Sequence, residues 1–235
     1  MKIENFLEST YLKTPKEAKI SEDQNEQVII SLIEEAIKYK FKLVMIRPDY
    51  IDIGNRIIFN KSSSLLLGTV IDFPNGTSSS IDKLEEGSIA LDLGADEIDY
   101  VVDYNAFQNR DFNKFDKDIL LSTQLCKEKD KVIKWIIGTG ALSSKEIKEM
   151  TSRIRNLVMK EFPNFATNVF IKTSSGYHPG GGANVDDIRI IKSECGALGI
   201  KASGGISNFI QFKNMIDAGA TRIGTSNALK IFTKN

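Results

Sequence analysis

Histidine is nearly absent from this sequence: His178 is the only one in 235 residues, and it stands just before Pro179 and the glycines 180–182. That setting reads as a loop residue rather than a general base. Cysteine is scarce too. Cys126 and Cys195 lie far apart and match no ligand spacing, so both read as buried or half-buried thiols and no metal is expected. Net charge is missing, because 31 Lys+Arg meet 31 Asp+Glu. That balance supports neither nucleic acid nor an acidic membrane surface as a partner. No hydrophobic run is long enough to span a bilayer, and Met1–Asn5 lacks the apolar core of a signal peptide. A cytoplasmic location is the expectation. Linkers, low-complexity stretches and a second composition regime are also lacking, so residues 1–235 are expected to form one domain.

What is present is a regular alternation of short apolar runs and helical periodicity. The runs fall at residues 6–12, 43–48, 65–71, 97–102, 132–137, 169–172, 198–201 and 221–226. Between them, Val28, Ile29, Leu32, Ile33, Ala36 and Ile37 recur at helical spacing, as do Ile81, Leu84, Ile89 and Leu93. Ser143-Ser144-Lys145-Glu146 is a capping-box sequence opening a helix to about Glu161. Residues 13–25 are polar, contain Pro15, and read as a connection. No glycine-rich nucleotide turn follows the first strands, which argues against an open doubly wound sheet. Eight strands alternating with helices predict a closed (β/α)₈ TIM barrel, whose chemistry would sit where strands end. The polar residues at those ends are Glu8, Arg47, Asp72, Asp99, Thr139, Lys172, Lys201 and Ser226.

Two of these are unusual. Lys172 closes Val169-Phe170-Ile171, and Lys201 follows Leu198-Gly199-Ile200; small residues come after each. A run of that kind implies a strand buried on both faces, and small residues let a ligand approach the backbone. Two ammonium groups converging in one pocket disfavour each other's charge, so one becomes a free amine near neutral pH and attacks carbonyls. Asp99 lies within an apolar run and needs a partner, most simply a lysine across the barrel. Asp96 and Glu97, at the turn and strand entry, are expected to be solvated. Gly176, Gly204-Gly205 and Gly224-Thr225-Ser226 follow the last three strands, where barrels commonly hold phosphate on backbone N–H groups. Asp72-Phe73-Pro74-Asn75-Gly76 reads as a turn placed where it could touch a substrate.

From Phe6 to about Leu229 the chain resembles deoxyribose-phosphate aldolase, a class I aldolase family with a TIM barrel fold. The resemblance is carried by Lys172-Thr173-Ser174-Ser175-Gly176, Gly199-Ile200-Lys201-Ala202-Ser203-Gly204-Gly205-Ile206, Gly94-Ala95-Asp96-Glu97-Ile98-Asp99, Asp72-Phe73-Pro74-Asn75-Gly76 and Arg222-Ile223-Gly224-Thr225-Ser226. It implies that Lys172 forms the imine, and that Lys201 lowers its pKa and shares a proton relay with Asp99. The implied reaction is reversible cleavage of 2-deoxy-D-ribose 5-phosphate to D-glyceraldehyde 3-phosphate and acetaldehyde, in deoxynucleoside catabolism, without metal or organic cofactor. Gly176, Gly204, Gly205, Gly224 and Ser226 would hold the phosphate, with Thr10 and Thr173 beside the substrate. A homodimer is implied. The chain departs from the pattern at Glu8 (commonly Asp), Met45 (Cys), Gly138 (Glu), Ser207 (Arg) and Asn227 (a small hydroxyl residue). A class I aldolase for another sugar phosphate stays open. So does a barrel that binds sugar phosphate without turnover, although a pure binder has no use for an amine of lowered pKa.

Overall fold

The computed structural model describes residues 2–177 and 181–234; His178, and with it the expectation for a loop histidine, lies outside them. Eight parallel strands close on themselves in chain order: β1 (Leu7–Thr10), β2 (Leu43–Ile46), β3 (Leu66–Ile71), β4 (Glu97–Val101), β5 (Val132–Ile136), β6 (Val169–Lys172), β7 (Gly199–Ser203) and β8 (Arg222–Thr225). The expected TIM barrel is what forms. Its helices are α1 (Pro15–Ala18), α2 (Glu22–Lys38), α3 (Ile51–Asn60), α4 (Ser80–Asp92), α5 (Tyr104–Gln108), α6 (Phe112–Glu128), α7 (Ser144–Glu161), α8 (Val185–Glu194), α9 (Phe209–Ala218) and α10 (Ala228–Thr233). Among the described residues, no helix is long and apolar enough to cross a membrane.

Residues 13–25 are more ordered than their polarity suggests. Ser21 caps α2 in a reciprocal box with Gln24, so the helix starts at Glu22, before its first apolar residue. Thr14 and Glu17 cap α1 in the same manner. The Ser143–Glu146 box at the start of α7 forms as expected.

The strand period of two divides each strand between two environments. Outward residues such as Val44, Ile46, Ile98, Tyr100, Ile133, Trp135, Ile171 and Ile200 are buried under the helices in one continuous core. Each fully buried aliphatic side chain there contributes about 1.5–3 kcal/mol. Inward residues split by character. Leu43, Met45 and Val70 form a separate apolar cluster with Leu12 on the β2–β3 side of the interior. Register sets Asp99 beside Lys134, Lys172 beside Lys201, and Lys201 beside Arg222. The rest of the interior is therefore ionic.

Candidate active site

Lys172, Lys201 and Asp99, singled out on three separate strands, meet inside the barrel. The Lys172 Nζ lies 2.7 Å from Asp99 Oδ2, and the Lys201 Nζ lies 2.6 Å from that same oxygen. Two ammonium groups thus share one acceptor atom, which is the mutual proximity that the two-lysine reasoning requires. Gly224 makes room for this. A Cβ there would lie 2.9 Å from Lys201 Cε, so any side chain on β8 at this level would push the lysine away.

Beneath the trio is a layer that the sequence reading did not assemble. Lys134, fully buried on β5, donates to Asp99 Oδ1 at 3.0 Å and sits 2.6 Å from Glu97 Oε2 and 3.6 Å from Glu8 Oε2. Glu8 contacts Lys201 Nζ directly and lies 3.3 Å from Arg222 Nε. Arg222 also reaches Glu97 at 3.6 Å. Glu97 is 2% exposed, which corrects the expectation of a solvated strand entry. In a closed barrel the first residue of a strand can face the axis, and water does not reach it there.

Burial raises the energy of every charge in this cluster, by several kcal/mol per ion before pairing. For Asp99 the cost of burial is more than reversed by the ammonium groups of Lys134, Lys172 and Lys201, which hold it far below the usual carboxylate range. Glu8 is likewise lowered: Lys134 and Lys201 outweigh its burial and the repulsion from Asp99. Lys134 is opposed by burial but held above the ordinary lysine value by Asp99, Glu8 and Glu97. Lys172 goes the other way. Burial pushes it down, Lys201 and Lys134 repel its charge, and Asp99 only partly offsets them, leaving it at about 8. That value brings its proton release close to neutrality.

Lys172 also opens outward. It lines a cavity of about 430 Å³ at the barrel mouth, together with Lys201 and Ser203. The far wall is Gly176, Gly204, Gly205, Ser207, Gly224, Ser226 and Asn227, with Thr10 and Lys13 from the β1 side. Gly204 and Gly205 adopt φ of +94° and +75°, a left-handed conformation that suits glycine. Thr173 is placed differently. Its hydroxyl donates to Ser203 O and accepts from Ser203 N, both at 3.0 Å, tying β6 to β7 behind the cavity wall.

Tyr177 closes one side of the mouth, a role that no motif announced. Its hydroxyl donates to Leu12 O at 3.0 Å, and its ring meets Phe73 edge-on at 5.1 Å. Arg47 reinforces the same corner, donating to Leu12 O at 2.8 Å and lying 5.2 Å over the Phe73 ring. Asp72 instead turns away to bind the Ser78 N–H and hydroxyl, so the 72–76 segment supports the wall through Phe73. At Gly138 a Cβ would fall 2.7 Å from the Tyr104 ring, so a glutamate there would displace Tyr104.

No family model matches the chain. Curated relatives do. A deoxyribose-phosphate aldolase of Staphylococcus epidermidis is 36% identical over 227 residues, spanning 96% of this chain and 93% of the relative. One of Lactococcus lactis subsp. lactis is 34% identical over 232 residues, spanning 98% and 96%. Among solved structures, QR15, an aldolase, matches with a TM-score of 0.80 and 27% identity over 97% of this chain and 93% of that one. The tetrameric deoxyribose phosphate aldolase of Aeropyrum pernix matches in fold, with a TM-score of 0.81 at 24% identity over 98% and 89%.

Proposed function

This chain belongs to the deoxyribose-phosphate aldolase family and is a lyase, and from that premise we propose that it cleaves 2-deoxy-D-ribose 5-phosphate through an imine on Lys172. One observation carries the reading: an amine at about 8 opens on the cavity while sharing a carboxylate oxygen with a second ammonium.

The steps follow from those positions. The unprotonated Lys172 amine adds to the C1 carbonyl of the open-chain sugar, and water leaves to give a protonated imine. Water in the cavity, in relay with Lys201 and Asp99, takes the proton from the C3 hydroxyl and later returns it to C2, and the C2–C3 bond breaks. The electron pair is drawn into the iminium, leaving an enamine, and D-glyceraldehyde 3-phosphate departs. Protonation of the enamine at C2 and hydrolysis release acetaldehyde and restore the amine. Asp99 holds Lys172 and Lys201 on one oxygen and shares the proton relay with Lys201. The 5-phosphate rests on backbone N–H groups of Gly176, Gly204, Gly205 and Gly224 with the Ser226 hydroxyl, and Thr10 contacts the sugar. Thr173 acts by holding β6 against β7. We place the enzyme in the cytoplasm, in deoxynucleoside catabolism, as a homodimer.

The test is reductive trapping with acetaldehyde and borohydride, read by peptide mass spectrometry, beside an assay of the phosphorylated deoxy-sugar coupled to glyceraldehyde 3-phosphate. An added ethyl group on Lys172 together with turnover supports the reading. Turnover without a Lys172 adduct would overturn the imine. An adduct without turnover of this sugar would overturn the substrate.

A further inference from the structure

The ionic interior of the barrel is not charge-balanced. Four cations, Lys134, Lys172, Lys201 and Arg222, face three carboxylates, Glu8, Glu97 and Asp99. Four of the seven are fully buried, Lys172 and Glu97 are 2% exposed, and only Arg222 approaches solvent. With every group ionised, a region without bulk water would hold one positive charge in excess. A buried uncompensated charge is relieved by losing or gaining a proton.

We propose that Lys134 and Glu97, neither of which lines the substrate cavity, are positioning residues that set the charge state of Lys172 through this imbalance. Lys134 supplies the surplus cation, Glu97 limits it to one, and the proton leaves from Lys172. That site is chosen by geometry. Among the described residues, Lys134 is shared among Asp99, Glu97 and Glu8, and Lys201 between Asp99 and Glu8, whereas Lys172 has Asp99 alone. Arg222 keeps its proton because guanidinium does not titrate in proteins. The other ionisable groups near Lys172 lie on the cavity side, where Tyr11, Lys13, Glu17 and Tyr177 line the wall beside solvent and are screened by it. The inference rests on the reading of Lys172 as the imine-forming amine, and it adds that residues on the closed side of the barrel tune that amine.

Counting charges gives opposite predictions for two variants. Lys134→Gln removes the surplus, so the interior is balanced with Lys172 protonated, and the amine frees itself only at higher pH. Glu97→Gln raises the surplus to two, so Lys172 releases its proton at lower pH. The double variant loses one charge of each sign and restores a surplus of one. A merely structural pair would lower activity in both single variants without moving their pH profiles apart.

The experiment measures the initial rate of cyanoborohydride trapping of limiting acetaldehyde at Lys172 against pH, by peptide mass spectrometry, for the wild type and the three variants. Expected is an upward midpoint shift of about one unit for Lys134→Gln, read as about tenfold less adduct near pH 7 with recovery in base. Glu97→Gln should shift downward, and the double variant should return close to the wild-type midpoint. If Lys134→Gln does not fold, Glu97→Gln decides alone. An unmoved or upward midpoint for Glu97→Gln, or single variants shifting in the same direction, would overturn the inference while leaving the imine intact. Absence of any Lys172 adduct in the wild type at every pH would remove the imine reading and this inference together.

Discussion

Two buried lysines in this molecule have opposite fates. Lys83, on α4, is fully buried; its Nζ lies 2.8 Å from Asp118 Oδ2 and 3.4 Å from Asp72 Oδ2, and donates at 3.2 Å to the carbonyls of Gly76 and Val101. Lys172, almost as buried, shares one oxygen of one carboxylate with a competing ammonium. Burial is the largest push on Lys172, and one shared carboxylate oxygen is too little to offset it. Two carboxylates and two carbonyls fix Lys83 as a staple joining α4, the 72–76 segment and the end of β4 to Asp118 on α6. Half a carboxylate leaves Lys172 able to give up its proton.

The sharpest break of this contrast is Lys172→Ala or Lys172→Arg. Either should abolish turnover, by on the order of 10⁴-fold or more, because the covalent route is lost. The folded protein should persist, as seen by an unchanged circular dichroism spectrum. Lys201→Leu comes next. It removes the repelling charge and gives Lys172 the whole of Asp99 Oδ2, so turnover at neutral pH should fall by about 10²-fold or more and partly recover in base. Near-normal rates at neutral pH would mean that the two ammonium groups do not interact.

Lys83→Met reverses the pattern. It leaves Asp118 and Asp72 buried without their cation, at a cost of about 3–5 kcal/mol. For a chain of this size that lowers Tm by about 6–20 °C, measurable by calorimetry. Trapping of acetaldehyde on Lys172 in the folded protein should be unchanged. Ser207→Arg should give the smallest effect. A cation added to the cavity wall should lower KM for the phosphorylated sugar by up to about tenfold, in line with a charge-assisted hydrogen bond, and barely alter KM for deoxyribose itself. Equal changes for both sugars would remove the phosphate from that wall.

The same contrast explains what the sequence disclosed. Lys172 and Lys201 were legible because each ends an apolar run before small residues, and Asp99 because a charge within an apolar run demands a partner. Lys134 carried that same signal, centred in Val132-Ile133-Lys134-Trp135-Ile136, but its partners are not local: pairing of β4 with β5 brings Glu97 to it, and barrel closure brings Glu8. Glu97 looked solvated because it follows a turn, and Arg222 opens its strand in the same way. The fold was more legible, since the period of two and the period of helices are local properties. The start of α2 escaped because its first turn, Glu22-Asp23-Gln24-Asn25, contains no apolar residue, although Ser21 and Gln24 spelled its cap. Tyr177 gave no signal, because its partner Leu12 is 165 residues away.

The most direct test of the central claim is an NMR titration of protein carrying ¹³C at lysine Cε, with the Lys172 resonance assigned by its loss in Lys172→Arg. A midpoint of about 8 for Lys172 is the predicted result. A midpoint at the ordinary lysine value of about 10.4 would show an amine that stays protonated at neutral pH, and would contradict it.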